Sequence, residues 1–113
     1  MTNYDLEERT KNFSLRVIDI CRRLPINIIN RKLIDQLVRS ASSIGANYRE
    51  ANESDTKKDF KNKIRISKKE ARETIYWLEL LINNNRSFEK EIFTLLDESR
   101  QLMKILASIY LKV

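Results

Sequence analysis

The sequence predicts an all-α protein, an antiparallel up-down-up-down four-helix bundle, on three observations. Apolar residues return at steps of three and four along nearly the whole chain, the spacing of helices that each bury one stripe. A single glycine and a single proline leave few places where a helix must break. The breaks that remain, near Pro25, at Asn52-Glu53-Ser54-Asp55 and at Asn83-Asn84-Asn85, are short, and short connections make consecutive helices antiparallel neighbours. With 113 residues the chain reads as one domain, residues 1–113, large enough for one core but leaving much surface exposed as a monomer.

The first helix is expected from Asp5 to Arg23, with Leu6, Thr10, Phe13, Val17, Ile20, Cys21 and Leu24 on its apolar stripe. Acidic residues at its start and Arg22-Arg23 at its end suit the helix dipole. Pro25 then stops it, because the residue before a proline is biased out of the helical region. The second helix is expected to take Asn30 as N-cap and to reach Ala51. Its stripe is Leu33, Leu37, Ile44, Tyr48 and Ala51, and it contains the small-residue run from Ser40 that holds Gly45. A glycine within a helix costs about 1 kcal/mol relative to alanine, so close packing is expected there. Ser43, Asn47 and Glu50 align along the edge of that stripe and are read as a polar structural seam. Glu50 is expected to accept hydrogen bonds from Tyr76, Arg49 or another seam group, since an unpaired buried carboxylate is very costly.

Thr56, with Asp59 three residues on, resembles a capping box that starts the third helix near Lys57; it should end near Ile82. Ser87 is expected to cap the fourth, whose apolar face carries Phe88, Ile92, Leu96, Ser99, Met103, Leu106 and Tyr110. The third helix has three faces. Phe60, Ile64, Ser67, Ala71, Thr74, Ile75, Leu78 and Ile82 form a core stripe. Lys57, Lys61, Arg65, Lys68 and Arg72, with Lys58 and Lys69 at the margin, form a basic ridge. Ile66, Tyr76, Trp77 and Leu80 form an additional apolar face, best explained as an oligomer interface, where tyrosine and tryptophan are enriched. Ile18, Ile105 and Ile109 are further apolar residues for such contacts.

Charge is concentrated on that ridge. The chain carries a net charge of +6, and residues 57 to 72 alone hold eight basic side chains against Asp59 and Glu70. A row of cations along one helical direction suits several phosphates of a nucleic acid. The ridge itself contains no aromatic residue, which favours backbone recognition with little sequence preference over base stacking. The commonest alternative is a solvated helix face.

Histidine is absent, which removes the usual triads, imidazole metal sites and the commonest general base near neutral pH. No catalytic residue, metal or cofactor is therefore expected, and the chain is read as no enzyme. Glu50, Glu70 and Glu73 are the only acidic residues near predicted helix seams, and no Glu-x-x-His partner exists to complete a di-metal site. Cys21, the single cysteine, reads as a small buried hydrophobe. No apolar stretch is long enough for a membrane span and the N-terminus lacks a basic and apolar leader, so a cytoplasmic protein is expected.

Two separated stretches resemble a known family. Asp35-Gln36-Leu37-Val38-Arg39-Ser40-Ala41-Ser42-Ser43-Ile44-Gly45-Ala46-Asn47-Tyr48-Arg49-Glu50-Ala51 and Lys69-Glu70-Ala71-Arg72-Glu73-Thr74-Ile75-Tyr76-Trp77-Leu78-Glu79-Leu80-Leu81 are similar to the bacterial four-helix bundle proteins encoded in 23S rRNA intervening sequences. The similarity covers about residues 5 to 110. The family often has proline where this chain has Gly45 and glycine where it has Ala51, so the end of the second helix is expected to differ locally. The resemblance implies a homopentamer without enzymatic activity. It extends to the accessory variability proteins of diversity-generating retroelements, basic pentamers that bind nucleic acid and a reverse transcriptase. On that resemblance Lys61, Arg65, Lys68, Lys69 and Arg72 are the candidate RNA contacts. The alternative is a protein-interaction scaffold with no direct nucleic-acid role.

Overall fold

The structure, a computed structural model, describes residues 3–113, residues 3 and 4 by their backbone alone. Met1 and Thr2 of the N-terminal segment read above lie outside the described residues. Four helices follow one another, α1 (Asn3–Arg23), α2 (Ile28–Asn52), α3 (Lys57–Asn84) and α4 (Glu89–Lys112), with a 3-10 turn at Arg86–Phe88 leading into α4. Each packs on its neighbours in sequence and α4 closes on α1; the α2–α3 seam is the most extensive and α1–α4 the slightest. This is the expected four-helix bundle. Its long dimension of 44 Å matches the length of α3, whose 28 residues rise about 1.5 Å each.

The helix starts show where local signals compete. Asn27, not Asn30, caps α2: its backbone is extended and its side chain accepts the Asn30 N–H at 2.9 Å. Asn30 is drawn inward instead, and is only 1% exposed. Its Nδ2 donates to Asn85 Oδ1 at 2.8 Å, Asn85 Nδ2 returns a bond to Asn30 Oδ1 at 2.9 Å, and the spare protons go to Pro25 O and Leu81 O. This reciprocal amide pair ties the α1–α2 connection to the end of α3. Thr56 caps α3 as expected, accepting the Asp59 N–H at 3.0 Å. Ser87 does not cap α4; it is exposed within the 3-10 turn, and the start of α4 has no side-chain cap.

The core is built largely from the expected stripes, with Phe13, Leu37, Ile44, Ile64, Leu78, Ile92 and Leu106 fully buried, and it also takes in Leu81, Leu95 and Leu102, which those stripes leave out. Gly45 is there because α1 is too close for anything larger. A Cβ at this position would lie 2.9 Å from Thr10 Oγ1 and 3.2 Å from Thr10 Cβ. No glycine has positive φ, so space is what requires it, and α2 continues helical to Asn52.

Small hydroxyls stitch the seams. Ser67 donates to Ile44 O at 2.7 Å, Thr74 to Ser40 Oγ at 2.8 Å, Ser99 to Ala71 O at 3.0 Å and Ser14 to Ala41 O at 3.2 Å. The residues expected to form the polar seam behave differently. Ser43 and Asn47 bond back to carbonyls of their own helix, Arg39 O and Ser43 O. Glu50 reaches α3, but as an exposed ion pair with Lys63 at 3.2 Å, not as a buried acceptor for Tyr76 or Arg49. The edge of the α2 stripe is only partly covered, with Ser43 and Asn47 half-buried and Glu50 exposed, and the buried hydrogen bonds between helices are made by residues further inward.

Candidate nucleic-acid interface

Helix α3 places Lys57, Lys61, Arg65, Lys68 and Arg72 on one side, with Lys58 and Lys69 flanking, over about 22 Å of helix at 1.5 Å per residue. Lys61 and Lys68 are half-buried and the other five are exposed. None of the seven has a carboxylate within ion-pair distance among the described residues. Arg65 donates only to the neutral Asn62 Oδ1 at 3.0 Å.

This arrangement works against the helix that carries it. Lys57 and Lys58 occupy the first turn of α3, where the dipole favours anions. Lys57–Lys61, Lys61–Arg65, Arg65–Lys69 and Lys68–Arg72 are like charges four residues apart, each destabilising by about 0.2–0.5 kcal/mol. Local helix stability therefore does not account for the ridge.

One aromatic residue does meet it, contrary to the expectation from α3 alone. Tyr110, expected on the core face of α4, lies beneath the ridge with Lys61 Nζ 4.6 Å and Lys68 Nζ 5.1 Å from its ring centroid. The ring quadrupole attracts both ammonium groups and gathers them at one place. The signal was in the topology: antiparallel packing sets the last turn of α4 beside the first half of α3.

The opposite edge of α3 is neutralised. Arg39 of α2 pairs with Glu70 at 3.2 Å and also with Glu73, which accepts the Trp77 indole N–H at 3.3 Å. Burial raises the Glu70 carboxyl above its ordinary value; Arg39 opposes that shift and the Glu73 charge adds to it. Among the described residues no group of three or more His, Cys, Asp or Glu side chains could hold a metal ion. Cys21 is half-buried against the core, and burial pushes its thiol up to about 11, so it is protonated and unreactive at neutral pH.

The apolar third face of α3 divides. Ile66, Trp77 and Leu80 are half-buried, and Trp77 packs against the core. Tyr76 is 53% exposed and tilts against Trp77, ring centroids 5.1 Å apart. Ile18 is half-buried, and Ile105 and Ile109 pack on the core. Other exposed apolar side chains were not singled out from the sequence: Leu15 and Phe93, and Ile26, Ile28 and Ile29 at the α1–α2 connection. Among the described residues no helix is long and apolar enough to cross a membrane.

Residues 2–108 match the family model described as 23S rRNA-intervening sequence protein. The fold is similar to the crystal structure of a protein of unknown function from the S23 ribosomal protein family of Bacteroides thetaiotaomicron VPI-5482. The two are 34% identical, with a TM-score of 0.81 over 92% of this chain and 96% of the other. Comparison with curated proteins gives no match.

Proposed function

Because the chain belongs to the 23S rRNA-intervening sequence protein family, and bears on that bundle a basic ridge without carboxylate partners among the described residues, we propose that it is a non-enzymatic, oligomeric RNA-binding protein. The ridge is the RNA-binding surface. The observation that carries this reading is the set of seven cations on α3 without a carboxylate partner among the described residues. They are held in a row that disfavours the isolated helix, is relieved within the fold where Tyr110 meets Lys61 and Lys68, and gains further stability when a polyanion lies along it.

Lysine and arginine in such a row neutralise successive phosphates and release condensed counterions. Contacts of this kind position a strand without reading its bases. Subunit assembly, a pentamer by family resemblance, multiplies the ridge and raises avidity for a long RNA. Ile66, Tyr76, Trp77 and Leu80 supply apolar surface for that assembly, and Leu15 and Phe93 are further exposed apolar side chains. A reverse transcriptase of a diversity-generating retroelement is the protein partner proposed for such an RNA complex, in the cytoplasm.

The test is RNA affinity of the full chain after Lys61, Arg65, Lys68 and Arg72 are all replaced by glutamine, against a control with Lys11, Arg16, Arg31 and Lys32 replaced instead. The two variants lose the same charge. A large loss confined to the ridge variant is expected. Equal losses in both would reduce the ridge to general electrostatics and overturn the assignment.

A further inference from the structure

Beyond Arg72 the ridge runs into a groove of about 740 Å³ between α3 and α4. Its floor is apolar, formed by Ile75 and Tyr76 of α3 and Met103 of α4. Lys69, Arg72 and Lys104 line it without ion-pair partners among the described residues. Its two carboxylates are already engaged, Glu73 by Arg39 and the Trp77 indole N–H, and Glu79 by Arg100 at 3.9 Å. The groove therefore presents uncompensated positive charge around an apolar floor, and a ligand that fits it combines anionic groups with an apolar face.

Position along the helix narrows the ligand further. Lys69, Arg72 and Tyr76 follow one another at steps of three and four, so Tyr76 continues the line of the ridge by one more turn. A strand whose phosphates follow the ridge arrives next at this ring. Unlike Tyr110, Tyr76 has no lysine over its face among the described residues; its ring contact is with Trp77. A positively charged track leading to an exposed aromatic side chain is the arrangement that holds unpaired nucleotides, because every base has a face to stack.

We propose that the α3–α4 groove is a subsite for one unpaired nucleotide, its base stacked on Tyr76 and its flanking phosphates held by Lys69, Arg72 and Lys104. The ligand class is thereby single-stranded RNA in preference to duplex, whose bases are already stacked on one another. This inference rests on the RNA-binding reading of the ridge.

The experiment measures binding of the full chain to a fluorescein-labelled single-stranded RNA of mixed sequence, and to the same strand annealed to its complement, by anisotropy at fixed salt. Tyr76→Ala is expected to weaken single-strand binding roughly ten-fold, the scale of one lost stack, and to leave duplex binding unchanged. Tyr76→Phe, which keeps the ring, is expected to bind as the unsubstituted protein does. Light scattering on each variant follows the assembly. Undiminished single-strand binding by Tyr76→Ala overturns the subsite, and if the glutamine ridge variant still loses binding, the ridge reading survives that failure. If neither variant loses affinity, both ideas fall. A drop in oligomer mass with equal losses on single strand and duplex also overturns the subsite, and assigns Tyr76 to the subunit interface.

Discussion

Gly45 is the residue at which sequence and packing are most tightly joined. Its missing side chain lets α1 approach α2 so closely that a Cβ would meet both Oγ1 and Cβ of Thr10. Thr10 cannot yield easily, being fully buried with its hydroxyl bonded to Leu6 O and Glu7 O. Gly45→Ala should therefore destabilise the protein by about 1–3 kcal/mol, the usual cost of overpacking, although alanine is the better helix former by about 1 kcal/mol. Denaturant melts would measure the effect, and adding Thr10→Ala should recover part of the loss. Glu70 makes a second residue-scale prediction. A carboxyl whose folded-state value is raised binds more protons folded than unfolded, so its contribution to stability falls as pH rises through the window above the ordinary value of 4.5. Glu70→Gln, which mimics the protonated form, should gain stability relative to the unsubstituted protein at pH 7, and that advantage should shrink below pH 4.5. Paired urea melts at the two pH values would show it; a gain that is independent of pH would contradict the assignment.

At the scale of elements, the ends of the helices depend on a few amides. The Asn30–Asn85 pair satisfies both buried side chains completely, so removing one partner leaves the other unpaired in the core. Asn85→Ala should destabilise by about 2–3 kcal/mol, and Asn30→Ala should add little once Asn85 is gone. A double-mutant cycle would detect that coupling, and simple additivity would contradict it. These elements also show what was legible in advance. The apolar stripes, the Thr56 cap and the bundle order followed from periodicity and turn residues, because burying one stripe per helix fixes them. Asn30 looked like a cap because a cap signal is local, whereas its partner is 55 residues away. Helical angle alone puts Ser43, Asn47 and Glu50 along a seam. The angle does not say how close the neighbouring helix lies: the buried crossings run from Ser67 and Thr74 of α3 to Ile44 O and Ser40 of α2, and Glu50 crosses only as an exposed ion pair with Lys63. The ridge was legible as a pattern of charge on α3 alone, whereas Tyr110 beneath it emerges only when the antiparallel topology is used to set the end of α4 beside the start of α3.

The whole molecule is a bundle whose seams are closed by small hydroxyls and whose charge lies outside on one helix. The net charge of +6 equals the surplus on residues 57 to 72, since the remaining fourteen basic and fourteen acidic side chains cancel. Long-range attraction for a polyanion therefore has one origin on each subunit, and assembly sets how many such ridges a single RNA meets. Mass in solution at micromolar protein should be several times the 13.5 kDa of one chain, and a monomer would contradict the proposed assembly. The central claim, that the α3 ridge binds RNA through its backbone, is tested most directly by the salt dependence of affinity. For single-stranded RNA the slope of log K against log salt is about 0.7 per phosphate neutralised. Replacing Lys61, Arg65, Lys68 and Arg72 with glutamine should flatten that slope by roughly 3 units, whereas an unchanged slope would contradict the account.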